Sequence, residues 1–296
     1  TCSIYNHVGL PILSTGSLPK SQVHAKIDTS RGSFYSYIGT SLSKTSLSPL
    51  ALSKIYWAVV IPSLLHGAEL RVYGEVELDE YEKFHRSIAR SIQCMPINTA
   101  SPCILASLGW RSISSHIDLC KLCFIQRILS LGCQSLYRIL FIRKFFYIVY
   151  ACIHNSSGPV SEIVSLCIKY QLLDNVLETI TSGENWGKME WKKIASRAID
   201  DRDHATWRFV LSLYPRLRVY RSVALEPKCL SWWNLVRAFP SLKKPCCSVV
   251  RLLCGNSVLA EFKRVDVDRG QRICSQCLAG VPEDLCHFVM QCSCFS

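Results

Sequence analysis

Near its end the chain carries Cys274, Cys277, His287 and Cys292, and this Cys-x2-Cys-x9-His-x4-Cys spacing constrains local folding more than any other feature of the sequence. Three thiols and an imidazole match the number and chemistry of ligands in a tetrahedral zinc site. A Cys-x2-Cys turn lets two thiolates face one ion from a tight loop, and the x4 gap predicts His287 and Cys292 about one helical turn apart. Gly280 and Pro282, in the loop between the halves, supply turn residues that reverse the chain. With all four positions taken by protein, the expected ion is structural zinc. A lone Cys-x2-Cys pair carries little weight, since 17 Cys in 296 residues give about one such pair by chance. The second pair, Cys120 and Cys123, falls in a strongly periodic helical stretch where Cys serves as a small hydrophobe. Spare thiols at Cys286 and Cys294 leave the identity of the fourth ligand open.

A formal net charge of +12 is the balance of a protein that meets phosphate or an acidic membrane. A hydrophobic content of 49% excludes a disordered chain. The apolar run from Leu136 to Ile153 is broken by Arg138, Arg143 and Lys144, each costing about 2.5 to 3.5 kcal/mol at a bilayer centre, so it predicts a buried helix with a basic stripe and no membrane partner. The cysteines, spread through a long chain without a signal peptide, suggest a reducing, intracellular compartment, nucleus or cytoplasm. A start at Thr1 suggests a fragment of something longer.

The pattern is mainly α. Residues 1–40 contain the hairpin material, a short β segment over Ser3 to Leu13, and then a possible helix from Ile27 to Ile38. Ser48-Pro49 reads as an N-cap with Pro at the first helical position, and Leu52, Ile55, Tyr56 and Val59 continue a stripe towards Pro62 and Gly67. Leu78, Tyr81, Phe84, His85, Ile88 and Ile92 keep helical spacing, with His85 expected to be packed and hydrogen-bonded. Thr99 to Leu108 predicts a short helix, and Ile113, Ile117, Cys120, Phe124, Ile128 and Leu131 mark the apolar face of the next. These signals divide the chain into an N-terminal segment (1–40), a helical domain (41–132), a helical linker region (133–248) whose boundary falls within 133–185, and a basic segment with the zinc knuckle (249–296).

From Trp186 onwards, aromatics alternate with cations: Trp191 beside Lys192 and Lys193, Trp207 beside Arg208, then Tyr214, Arg216, Arg218, Tyr220 and Arg221. Such mixing suits phosphate contacts and base stacking, and equally suits amphipathic helices that bury the rings. A second basic run with Arg251, Lys263, Arg264, Arg269 and Arg272 leads into the zinc loop, where Phe288 adds a ring. Cations next to a small zinc module point to nucleic acid better than either alone. No phosphate-binding Gly-rich loop or nucleophile elbow is present. The adjacent acids Asp200 and Asp201 have no third acid in a strand and read as helix surface, so no catalytic residue is assigned.

Arg251-Leu252-Leu253-Cys254-Gly255, then Leu259, Phe262 and Arg264, then the Cys274–Cys277 pair with Glu283-Asp284, His287-Phe288 and Cys292, resemble the C-terminal tail of non-LTR (LINE-type) retrotransposon reverse transcriptases. The stretch from Ser48 to Leu70 resembles that family's helical thumb, and 88–96, 106–110 and 117–131 fall where its next helices do; residues 133–185 match poorly. The family's Tyr or Phe-x-Asp-Asp polymerase motif is absent, and His66 replaces the usual Tyr before Gly67. The resemblance implies a non-catalytic thumb and zinc-bearing tail gripping template RNA and target DNA during target-primed reverse transcription. Palm, fingers and catalytic Mg2+ would then belong upstream, in the parent polymerase. The alternative is a zinc-stapled helical adaptor that binds protein, with Trp232-Trp233 as its docking patch.

Overall fold

The computed structural model describes residues 4–7, 10–13, 20–39, 47–150, 158–256, 271–277, 279–284 and 286–294. These are mainly helical, and none of their helices is long and apolar enough to cross a membrane. The chain divides into two compact units, one of residues 1–40, 54–85 and 111–205, the other of 41–53, 86–110 and 206–296. These do not follow the four consecutive segments expected from the sequence.

In the first unit, β1 (Ile4–His7) pairs antiparallel with β2 (Leu10–Leu13). Helix α1 (Lys20–Gly39) buries Val23, Ile27, Ser30, Phe34 and Ile38, spaced three and four apart as one helical face requires. Helix α2 (Pro49–Ile55), which belongs to the second unit up to Ser53 and to this one from Lys54, begins at Ser48, whose hydroxyl accepts from the Ala51 N–H at 3.2 Å. It runs into a π-turn over Tyr56–Val60 and then α3 (Ile61–Leu64). Pro62 accounts for the wider turn: it lacks an N–H and its ring clashes with an α-helical carbonyl four residues back. The Ile61 N–H bonds to Tyr56, five residues back. Gly67, at φ +71°, then stops the helix.

Helix α4 (Glu75–Ile92) contributes its first half to this unit. His85 is fully buried, with Nε2 2.9 Å from the Arg111 carbonyl and Nδ1 2.8 Å from the Tyr56 hydroxyl. A carbonyl only accepts, so Nε2 carries the proton and Tyr56 donates to Nδ1. This is the packed, satisfied histidine expected from the sequence. Burial pushes the Tyr56 phenol well above its ordinary pKa, which keeps it a donor.

The main core of this unit is shared by α6 (Ile113–Leu129), α7 (Leu136–Tyr150), α8 (Pro159–Lys169), α9 (Leu173–Ser182) and α10 (Lys188–Ser212, to residue 205). The stretch 133–185, where a boundary was expected, therefore contributes to one continuous hydrophobic core. In α6 the innermost residues are Leu122, Ile125 and Leu129, with Asp118 and Lys121 beside them. Of the expected face, Ile113 and Ile117 are buried, Cys120, Phe124 and Ile128 are half-buried, and Leu131 is exposed. Two ion pairs compensate the buried charges: Lys121 with Glu162, and Asp118 with Lys169 at 2.7 Å, the latter reinforced by the Tyr170 hydroxyl. Helix α7 buries Phe141, Phe145 and Ile148 and exposes Tyr137, Leu140, Tyr147 and Tyr150, so the expected buried helix is only half covered.

In the second unit, the end of α4, α5 (Ser101–Ala106), the end of α10, α11 (Arg218–Val223), α12 (Ser231–Ala238) and α13 (Lys243–Leu253) contribute buried Ile88, Ile92, Ile104, Leu211, Tyr220, Trp233 and Val250. Trp233 is core and no docking surface. Polar bonds fix the connections: Gln93 Nε2 donates to the Ile104 carbonyl at 2.9 Å, Trp110 Nε1 to Ser53 Oγ at 2.6 Å, and Lys243 Nζ to the Leu47 carbonyl at 2.7 Å. Gly109, at φ +66°, allows the chain after α5 to pass Cys229, whose N–H a Cβ would approach to 2.9 Å.

Candidate metal centre

The tail folds as a knuckle. Arg272, Ile273 and Cys274 run antiparallel to Val281, Pro282 and Glu283: the Cys274 N–H bonds the Val281 carbonyl at 2.9 Å, and the Glu283 N–H bonds the Arg272 carbonyl at 2.7 Å. Gly280, at φ +69°, takes the left-handed conformation that the reversal needs. Asp284 then starts the last turn: its Oδ1 accepts from the His287 N–H at 2.8 Å, an N-cap that fixes the backbone carrying the imidazole.

The final turn, His287–Gln291, is a π-turn, closed by the Cys292 N–H on the His287 carbonyl at 2.7 Å. This corrects the reading of His-x4-Cys as one ordinary helical turn. At 3.6 residues per turn, a residue five positions on is rotated by about 140°, away from the first. A ring closed from i to i+5 brings the two side chains back to one side.

The ligand atoms of Cys274, Cys277, His287 and Cys292 all lie within 4.8 Å of one another, and Cys277 Sγ is 3.3 Å from His287 Nε2. Zinc with bonds of about 2.3 Å to sulfur and 2.0 to 2.1 Å to nitrogen sets tetrahedral ligands roughly 3.5 to 3.8 Å apart. These four residues therefore have the spacing and donor chemistry to hold a metal ion. Cys274, His287 and Cys292 are buried and Cys277 is half-buried. The Cys277 and Gln276 backbone N–H groups, aimed at Cys274 Sγ, lower its pKa to about 7, against an opposing contribution from burial. Burial, outweighing a backbone bond from Cys294, raises Cys292 to about 11. The grouped fourth residue is Cys292: Cys286 and Cys294 are exposed, and Cys294 Sγ hydrogen-bonds the Gln276 carbonyl at 3.1 Å, outside the cluster. Sequence reasoning missed the Asp284 cap and the two amides behind Cys274. Asp followed three residues later by His was the available signal for the cap.

Among the described residues this is the only such Cys/His/acid group. Cys120 and Cys123 are half-buried helix residues, their thiols pushed up chiefly by burial, Cys120 to about 11. The adjacent acids divide: Asp201 is exposed, whereas Asp200 takes two bonds from Arg111, at 2.7 Å from Nε and 2.6 Å from Nη2, a structural bidentate pair.

The residues assigned to nucleic acid have several placements. Lys192 and Lys193 are exposed on α10 in the first unit. Trp191 between the rings and cations is fully buried, donates from Nε1 to the Leu122 carbonyl at 2.7 Å and stacks on Trp186 at 4.2 Å; it has no face for a base. Arg251 is half-buried and donates through Nε at 3.0 Å, and through Nη2, to the Cys94 carbonyl that follows α4, so it is a structural tie within the second unit. Arg272 and Phe288 are half-buried in the knuckle itself. Lys263, Arg264 and Arg269 lie outside the described residues. Compared with models of protein families, with curated proteins and with solved structures, the chain matches none.

Proposed function

We propose that this chain is a nucleic-acid-binding, non-catalytic C-terminal part of a non-LTR retrotransposon reverse transcriptase, its tail held by a structural zinc ion. The observation that carries the reading is the convergence of four metal ligands in a chain whose residues 206–256 hold nine Lys and Arg against a single acid, Glu226. Zinc bound by Cys274, Cys277, His287 and Cys292 supplies folding free energy and leaves no open position for an activated water. Three thiolates and a neutral imidazole leave the bound site with about one net negative charge. The retroelement assignment rests on the tail motif from Arg251 to Cys292 and the thumb-like stretch 48–70. Template RNA and target DNA are the partners that assignment implies.

Of the Trp232-Trp233 patch on which the adaptor reading relied, Trp233 is buried and Trp232 half-buried, which leaves that surface smaller. The test is fluorescence anisotropy of the zinc-loaded chain with labelled single-stranded RNA across a salt series. Affinity falling steeply with salt is expected. A flat salt response, or no binding at low salt, contradicts the assignment. Replacing Lys263, Arg264, Arg269 and Arg272 together by Glu should weaken RNA binding and lower its salt slope; unchanged affinity and slope would remove this basic run from the interface.

A further inference from the structure

The second unit contains an arginine surface that neither the zinc knuckle nor the basic run before it accounts for. From Ala205 to Leu225 the chain has four cations, Arg208, Arg216, Arg218 and Arg221, and no acid. Arg208, Arg216 and Arg218 are exposed and Arg221 is half-exposed. They come from three elements: the end of α10, the short 3-10 turn Pro215–Leu217, and α11. Those elements are pinned together from beneath. Trp207 lies edge-on to Tyr220 at 6.5 Å, and its Nε1 donates to the Pro102 carbonyl at 2.9 Å. Tyr220, Leu217 and Leu211 are buried. Because Arg218 and Arg221 are three residues apart on α11, they share a face of the helix. Two large rings of the same stretch are also exposed: Phe209, 65% exposed, which follows Arg208 in sequence, and Tyr214, 40% exposed, two residues before Arg216.

We infer that this platform binds a single-stranded nucleic acid, the arginines on successive phosphates and Phe209 and Tyr214 against its bases. Four cations with no interspersed acid call for a polyanion, and guanidinium groups pair with phosphate oxygens in a bidentate fork. Exposed rings beside them suit unpaired bases, whose faces are free, and offer nothing to the stacked interior of a duplex. A membrane surface fits less well, because the cations lie on three separate elements and line no one amphipathic helix. The inference rests on the nucleic-acid reading and locates its grip.

The test uses the zinc-loaded 296-residue chain with labelled polyuridine of about 12 nucleotides, the deoxy strand of equal length, a duplex, and anionic vesicles. Joint Arg216→Gln, Arg218→Gln and Arg221→Gln should reduce the slope of log affinity against log salt by about 2, and affinity at 0.1 M salt by about 100-fold, from roughly 0.7 per lost phosphate contact. Joint replacement of the same three by Lys should keep the slope. Tyr214→Ala should cost about tenfold on single strands and little on the duplex. Circular dichroism and zinc content monitor folding; should the triple Gln variant fail to fold, each single change should lower the slope by about 0.7. Wild-type slope in folded variants overturns the platform and leaves the nucleic-acid reading standing, with the strand held elsewhere. Absence of salt-dependent oligonucleotide binding by the unaltered chain overturns both. Equal losses on duplex and single strand, or Arg-dependent binding to vesicles without binding to oligonucleotides, also overturn it.

Discussion

Replacing Trp191 by Ala should cost the first unit about 4 to 6 kcal/mol. The indole is fully buried, stacks on Trp186 with planes 14° apart, and donates to the Leu122 carbonyl at 2.7 Å. Burying roughly 200 Å² of aromatic surface is worth up to about 5 kcal/mol at 25 cal/mol per Å², and measured Trp-to-Ala losses run from about 3 to 5 kcal/mol. The hydrogen bond adds about 1 kcal/mol; Leu122 lies within α6, so its carbonyl keeps a place in the helical ladder and is not orphaned. Trp191→Phe, which keeps a ring, should cost about 1 to 3 kcal/mol. Urea unfolding followed by far-ultraviolet circular dichroism measures both, since neither readout depends on the lost indole. A loss below about 1 kcal/mol for Trp191→Ala, or weakened RNA binding at unchanged stability, would refute the assignment of this ring to the core.

Gly109→Ala should destabilise the second unit by about 1 to 3 kcal/mol, read as a fall in urea midpoint, because a Cβ at φ +66° meets the Cys229 backbone N–H at 2.9 Å. His116, whose ring lies 5.1 Å from that of Trp57, is held below its ordinary pKa of 6.5 first by burial and then by Arg111 and Lys192. The folded state thus binds fewer protons than the unfolded state between the lowered value and 6.5, so its contribution is complete above 6.5 and lost as pH falls through that window. His116→Gln should flatten the acid side of the stability profile, and an unchanged profile would count against it. Arg111→Lys should lose the bidentate grip on Asp200 and cost about 1 to 3 kcal/mol in the same unfolding assay.

Much of the helical layout was legible where polarity varied strongly along the chain. Acids outside and rings inside marked α4, and Ser48-Pro49 marked the start of α2. In helix α6 the expected face is buried at Ile113 and Ile117 but only half-buried at Cys120, Phe124 and Ile128, because apolar and small residues occur on most of its sides and the charges of Asp118 and Lys121 are drawn inward by partners on α8. The alternation of Trp191 with Lys192 and Lys193 is that of an amphipathic helix, and sequence alone cannot separate a buried ring from a stacking ring. The metal quartet was legible as ligand types and spacing. What was missing was the backbone: a π-turn that returns Cys292 to the side of His287, and the different roles of Cys292 and Cys294 only two residues apart.

The most direct test of the account is the zinc content of purified protein measured by inductively coupled plasma mass spectrometry. The account predicts about one zinc ion per chain, retained in Cys286→Ser and Cys294→Ser and lost in Cys292→Ser and in the joint Cys274→Ser, Cys277→Ser variant. Zinc content unchanged in Cys292→Ser, or no metal in the unaltered chain, would contradict it.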